Sequence, residues 1–437
     1  MIIRITKIIK RIYKYKSNLK QILLIIILVF NLKAKQLNNK IIKVGFYCQS
    51  IKNGGVERVV SLLINYISKE KNFIIYLITN QRKLDGEYLI PNEIRRISLC
   101  EESVPLIKVL KLNYIDVLIY NLYTKSEMKK LNRLKRIKII YYNHSSFLFW
   151  IYQNITDFKN TIYSDYKNCK YVISLIPLEN DYLFKKWGIK SVLMDNPTTF
   201  EYNSITPSDL TTDNVIMIGR ADDEMKRFEL GIIAMKRIIK EIPTSEMKIA
   251  SFPVEKYEKL IKNLSLEKKV RFLGYQENIE IFLKNSSLHI LTSLSECYPM
   301  VLSEAKIFGI PSLICGLDHL TLAKEGNVII YDDNPITIAK EAIKILKNDE
   351  YRKKLGKEAR ISMKSKKNSI IAKKWIDLIL SIYNGNESYY MDESNRKNKM
   401  TEKEAEKILN NQLILLKQRK PYLSNLTLED LINYNIK

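Results

Sequence analysis

The chain has 437 residues, nearly half of them apolar, with few Gly and Pro; this favours two or more packed domains and excludes disorder of the whole chain. Lys and Arg outnumber Asp and Glu by 72 to 47, and the formal net charge of +25 suits anionic partners (nucleic acid, acidic lipid headgroups, phosphorylated ligands) or a solvated lysine-rich surface. Five scattered cysteines without a C-x-x-C pair and only three histidines (His144, His289 and His319) argue against a disulfide framework, a zinc site or a His-rich metal centre, and for a reducing compartment.

Residues 1–40 carry ten Lys or Arg and no acidic side chain. Within them the run QILLIIILVFNL is shorter than the about 20 residues that a spanning helix needs. The following KAKQLNNK offers no small-residue cleavage site, so an interfacial segment is favoured over a signal peptide. Its apolar side chains would dip into a membrane while Lys and Arg meet anionic headgroups, at about 1 kcal/mol each. Packing on the protein's own body is the alternative. No recognised nucleic-acid module accompanies the charge, so no nucleic-acid partner is expected.

Residues 41–197 read as a first doubly wound α/β domain. IIKVGFYC is a strand, and NGGVERVVSLLINYISK is a Gly-rich turn leading into a helix with Val59, Leu62, Leu63, Tyr66 and Ile67 on its apolar face. NFIIYLIT, YIDVLIY, RIKIIYYNH and KYVISLI are further buried strands, the third ending at His144. Residues 198–213 are polar, with Pro and Thr, and read as a linker. The pattern restarts over 214–368: strands VIMIGR, EMKIAS, KVRFLGY, LHILTS, PSLIC and NVIIY alternate with helical stretches. A closing amphipathic helix is expected over 369–384. A polar linker and helical tail follow over 385–437, where Thr401-x-x-Glu404 and Thr427-x-x-Asp430 mark helix starts.

Two doubly wound domains would face a cleft that receives loops from the carboxyl ends of their strands. Three stretches there can carry chemistry. Gly54 and Gly55 follow the first strand and open its helix, where free N–H groups and positive potential favour a phosphate. The loop has neither G-x-G-x-x-G nor G-K-[ST], and alone it is also an ordinary turn. Arg220, Lys226 and Arg227 sit at the first strand-to-helix turn of the second domain and suit a diphosphate, or solvation beside Asp222, Asp223 and Glu224.

The third stretch is SLSECYPMVLSEAKIFGIP. Pro299 fits the first turn of a helix, Gly309 its end, and Pro311 a stop. Glu296 then lies on a loop and Glu304 within the helix. N–H groups at Met300, Val301 and Leu302 can meet phosphate, and Glu304 can accept from paired sugar hydroxyls. The plainer alternatives are a capping box at Ser293-x-x-Glu296 and an ordinary surface carboxylate at Glu304.

The E-x7-E spacing followed by G-x-P resembles the retaining glycosyltransferases of family 4, of the bacterial capsule and surface-polysaccharide type, which have the GT-B fold. NGGVER is similar to their Gly-Gly loop, IGRADDEMKRF to their diphosphate clamp, and the run from VRFLGY to PSLIC to their donor-domain signature; the resemblance covers roughly 41–384. It implies an acceptor-side first domain and a donor-side second domain. Arg220 and Lys226 would hold the diphosphate of a nucleotide-sugar, Glu304 the ribose hydroxyls, and Glu296 would lie by the transferred sugar. Met300 to Leu302 would support the phosphates, with Gly54 and Gly55 approaching from the other domain. His144 matches an active-site histidine of the family, with a satisfied buried imidazole as the alternative. Departures are the five residues between Arg220 and Lys226, Arg227 in place of a Gly, and Lys306-Ile307-Phe308 in place of small residues. They leave open which of Lys226 and Arg227 points inward.

The resemblance implies transfer with retention onto a glycan or lipid-linked acceptor at the cytoplasmic face of a membrane. The nucleotide-sugar is a co-substrate; no other cofactor and no metal are expected, since no D-x-D is present. Other GT-B activities (an epimerase or an inverting transferase) and a non-catalytic glycan- or nucleic-acid-binding protein are the competing readings.

Overall fold

A computed structural model describes residues 41–122, 127–146, 166–394 and eight positions between 401 and 414. The expected interfacial segment 1–40 lies outside the described residues, and so, at least in part, do both tail capping pairs. No helix among the described residues is long and apolar enough to cross a membrane.

The chain forms two parallel sheets. The first holds β1 (Ile42–Cys48), β2 (Phe73–Thr79), β3 (Arg95–Ser98), β4 (Val117–Tyr120), β5 (Lys138–Tyr142), β6 (Tyr171–Ser174) and β7 (Val192–Leu193). Their order is β3-β2-β1-β4-β5-β6-β7. Runs such as IKVGFYC and FIIYLIT are almost wholly buried, as strands covered on both faces require. Helix α1 (Gly55–Ile67) follows β1 and buries Val59, Val60, Leu63, Ile64 and Ile67, while α2 (Pro177–Trp187) follows β6.

The second sheet holds β8 (Val215–Ile218), β9 (Met247–Ala250), β10 (Val270–Phe272), β11 (Leu288–Leu291), β12 (Ser312–Cys315) and β13 (Asn327–Ile330), ordered β10-β9-β8-β11-β12-β13. Helix α3 (Phe228–Glu241) follows β8, and α4 (Met300–Ile307) follows β11. Gly231 lets α3 lie close over its sheet, because a Cβ there would strike the sulfur of Met217. Each sheet reverses its strand order beside its first strand, at β1/β4 and at β8/β11. The carboxyl ends of those pairs mark the crevice where doubly wound folds take ligands. The architecture is that of two Rossmann-like domains, as the alternation of apolar runs and helical stretches implies.

Helix α4 is fixed from behind. Gly309 ends it with φ +68°, and a Cβ on Gly356 of α5 (Asp349–Ser362) would collide with the Gly309 carbonyl. Arg360 of α5 donates to the Ile307 carbonyl at the end of α4, and to the Tyr202 and Ile205 carbonyls at 3.1 and 2.9 Å. Helix α6 (Asn368–Tyr383) then packs on α1, so the closing helix belongs spatially to the first domain. Its Trp375 is buried beside Tyr142 of β5, with ring centroids 5.0 Å apart.

Candidate active site

The loop after β11 and the turn after β8 are laced together. Thr292 Oγ1 donates to the Lys226 carbonyl at 2.7 Å, and the Leu294 N–H donates to the Met225 carbonyl at 2.7 Å. These bonds bring Lys226 Nζ to 2.5 Å from Glu296 Oε1. Ser293 donates its hydroxyl to the same oxygen at 2.7 Å. No helix follows Ser293 directly, so this contact is not a capping box; it orients Glu296 toward Lys226. Pro299, expected inside the first turn of α4, precedes it as the N-cap residue with ψ 110°.

Of the cations at the β8 turn, the structure turns one outward, one to Glu296 and one inward. Arg220 is largely exposed and pairs with Asp223 at 3.2 Å. Arg227, expected as a third donor-binding cation, is instead built into the second domain. It adopts the left-handed conformation (φ 49°, ψ 49°), which swings its side chain away from that of Lys226. Its guanidinium, 1% exposed, donates to the Thr292 carbonyl at 2.8 Å and to Asp333 at 2.6 Å. The expectation for Arg227 is corrected on that ground, since a buried, paired guanidinium does not reach a ligand in the crevice.

Helix α4 presents free donors on its first turn. The N–H groups of Met300 and Val301 have no acceptor among the described residues, whereas that of Leu302, expected to be free, donates to the Pro299 carbonyl at 3.1 Å. Glu304 is 2% exposed, not a surface carboxylate. Its Oε1 accepts from Thr199 Oγ1 at 2.5 Å and from Arg58 Nη1 at 3.2 Å. Oε2 takes no hydrogen bond from the described residues. Burial pushes the Glu304 carboxyl up, while Arg58 and Thr199 pull it back toward ionisation.

From the first domain, Asn53 (φ 59°) and Gly54 turn the chain into α1. Glu57 folds back over this turn, where a Cβ on Gly54 would strike its carboxylate, while Gly55 stays open. The Glu57 carboxyl is pushed up by burial and pulled down by its own backbone N–H and by Arg220. The Gly-Gly turn thus carries a carboxylate of the chain over Gly54, near enough to Arg220 of the β8 turn to feel its charge.

His144 stands two residues past β5, half-buried. Its Nε2 lies 3.1 Å from Asn121 Oδ1, and its ring centroid lies 4.0 Å from that of Tyr142. Asn121 Nδ2 donates to the carbonyls of Tyr47 and Ile119, both at 3.2 Å, which leaves its oxygen as the acceptor. Nε2 therefore carries the proton, and Nδ1 is the ring's acceptor. Burial pushes the imidazole down, which favours its neutral form. Among the described residues no three His, Cys, Asp or Glu side chains converge to hold a metal ion.

Arg58, Thr199 and Asn121 were not singled out by sequence reasoning. Arg58 lies inside the NGGVER stretch, but no spacing rule links it to a carboxylate 246 positions away. Thr199 sits in a stretch that reads only as a polar linker.

Comparison with known proteins agrees with this geometry. Residues 200–362 match the family model described as glycosyl transferases group 1. The chain is 28% identical over 144 residues to N-acetyl-alpha-D-glucosaminyl L-malate synthase of Bacillus anthracis, covering 32% of this chain and 38% of that relative. Over 364 residues it is 24% identical to GalNAc-alpha-(1->4)-GalNAc-alpha-(1->3)-diNAcBac-PP-undecaprenol alpha-1,4-N-acetyl-D-galactosaminyltransferase of Campylobacter jejuni, covering 78% of this chain and 99% of that one. Its fold is similar to that of Anabaena HepE solved with UDP and glucose (TM-score 0.64, 16% identity, 78% of this chain and 100% of that chain). The matched domain, the relatives and the two parallel sheets agree on a glycosyltransferase of the GT-B architecture.

Proposed function

We propose that this glycosyltransferase moves a sugar from a nucleotide-diphosphate donor to a glycan or lipid-linked acceptor, with retention of anomeric configuration, as a family 4 enzyme of surface-polysaccharide assembly (capsule, lipopolysaccharide or exopolysaccharide). The observation that carries this reading is the arrangement at the β8/β11 crevice. Among the described residues the buried carboxylate of Glu304 keeps one oxygen without a donor, Met300 and Val301 on the same helix keep unbonded N–H groups, and the Lys226–Glu296 pair joins the turn after β8 to the loop before that helix. A donor fits that order: ribose at Glu304, diphosphate at Met300, Val301, Lys226 and Arg220, sugar at Glu296 and His144.

As the bond between the sugar and the diphosphate breaks, negative charge grows on the leaving nucleoside diphosphate. Lys226 and the first turn of α4 are donors held in place before the reaction, which is how charge development is best stabilised, and Arg220 would leave its Asp223 pair to join them. In this reading they do so without a divalent metal. His144, neutral with Nδ1 as acceptor, would take a hydroxyl of the transferred sugar, and Gly54 and Gly55 would close on the phosphates from the first domain. The undecaprenol-linked glycan named for the Campylobacter jejuni relative supports a lipid-linked acceptor. The net charge of +25 supports peripheral contact with an anionic membrane at its cytoplasmic face.

The test is a panel of UDP-, GDP-, ADP- and CDP-sugars, with nucleoside diphosphate release followed in the presence of chelator and the product anomer determined. Release from one donor, lost in Glu304→Ala, supports the reading. An inverted or epimerised product would move the chain to another GT-B activity. No release and no binding from any donor would favour a non-catalytic binding protein.

A further inference from the structure

Arg58 is the cation that Glu304 meets, and it comes from the other domain. It lies on the first turns of α1, while Glu304 lies on α4. Arg58 Nη1 sits 3.2 Å from both Glu304 Oε1 and Thr199 Oγ1, and Thr199 closes the triangle with its 2.5 Å bond to Glu304. The guanidinium is itself held in place, stacked 4.8 Å over the Tyr88 ring. Every hydrogen bond that Glu304 accepts from the described residues falls on Oε1. A carboxylate at 2% exposure needs a partner to stay charged, and one with a free rotor would not present a fixed oxygen.

We propose that Arg58 is a positioning residue for donor recognition: with Thr199 it anchors Oε1 of Glu304 and so presents Oε2, charged and oriented, to the ribose hydroxyls of a nucleoside diphosphate. This rests on the donor reading above and extends it. The ribose grip of the second domain is completed only by a side chain of the first, so nucleotide affinity depends on the two domains being packed together. Arg58 touches no donor atom in this scheme. The one guanidinium nitrogen with acceptors among the described residues, Nη1, is shared between Glu304 and Thr199, and a phosphate contact through Nη2 or Nε would show in the test as a loss common to both nucleotides.

The test compares binding of UDP and GDP, by calorimetry, with that of their 2',3'-dideoxy analogues, which lack both ribose hydroxyls. The proteins are the parent chain, Arg58→Gln, Arg58→Lys, Glu304→Gln and the double variant Arg58→Gln with Glu304→Gln, with melting temperatures read alongside. Arg58→Gln should weaken the ribose-bearing nucleotide that binds by about tenfold or more and its dideoxy analogue by less than about twofold, since the lost bond is to a charged group. Glu304→Gln should give the same split, the double variant no further loss, and Arg58→Lys partial recovery. Equal losses for both nucleotides at an unchanged melting temperature, or no loss, would overturn the inference while leaving the donor reading intact. If the parent binds neither UDP nor GDP, the same comparison is made with ADP and CDP; a parent that binds none of the four takes down the donor reading, and the inference with it.

Discussion

Arg227 donates to Asp333 at 2.6 Å inside the second domain, with the two side chains 1% and 3% exposed. Both residues have positive φ, 49° and 50°, so both ends of the pair depend on left-handed turns. The pair joins the turn after β8 to the segment after β13, across the sheet. It therefore supports the backbone from which Lys226 projects, without reaching the crevice.

Arg227→Ala should accordingly act as a stability variant. Removing one member of a buried ion pair costs about 3–5 kcal/mol, because the charge left behind loses its counter-ion. Urea denaturation should show that loss. Replacing both residues by apolar ones of similar volume should cost less than Arg227→Ala alone. Arg227→Ala with parental stability but no nucleotide binding would return Arg227 to the donor site.

The Lys226–Glu296 pair makes an opposed prediction for its two halves. Lys226 is the cation expected to face the diphosphate, yet in this structure it is engaged by Glu296. Lys226→Met should slow nucleoside diphosphate release by about a hundredfold or more, the usual cost of removing a donor aimed at developing charge. Glu296→Gln releases Lys226 from a competing anion. It should bind free nucleoside diphosphate at least as tightly as the parent, while transfer falls. Calorimetry on the nucleotide and turnover on the donor sugar separate the two effects. Weaker nucleotide binding in Glu296→Gln would mean that Glu296 serves to position Lys226.

Much of this was legible from local pattern. Strands such as IKVGFYC and FIIYLIT announce themselves because both faces are buried, so apolar residues run without interruption. The bend between Glu296 and Glu304 was legible because Pro299 and Gly309 bracket α4. Strand β3 was not: it is the sheet edge, and its sequence RRIS carries two arginines, Arg95 exposed and Arg96 paired with Glu87, and no apolar run. The direction of Arg227 was not legible either, because spacing places it beside Lys226 and only the left-handed backbone at that one position separates them. The Arg58–Glu304 contact depends on how two domains dock, which no periodicity within either domain encodes.

Glu179 gives a prediction about pH. It lies in the first turn of α2, fully buried, with Oε1 accepting from Tyr166 at 2.5 Å and Oε2 without a partner. Burial pushes its carboxyl up from 4.5 to about 7, only partly offset by the Tyr166 hydroxyl and the Leu175 backbone. The folded state therefore holds this proton more tightly than the unfolded chain. Between pH 4.5 and about 7 the native protein binds a proton that the unfolded chain has released, so stability falls as pH rises through that window. Below it the contribution is fully retained, and above it the whole cost, on the order of 3 kcal/mol, is paid. Glu179→Gln removes the titration and keeps the shape. Its stability relative to the parent should improve progressively from pH 4 to pH 8 in urea denaturation. A gap that stays constant across that range would show that the carboxyl titrates normally in the fold, through solvent access or a partner for Oε2.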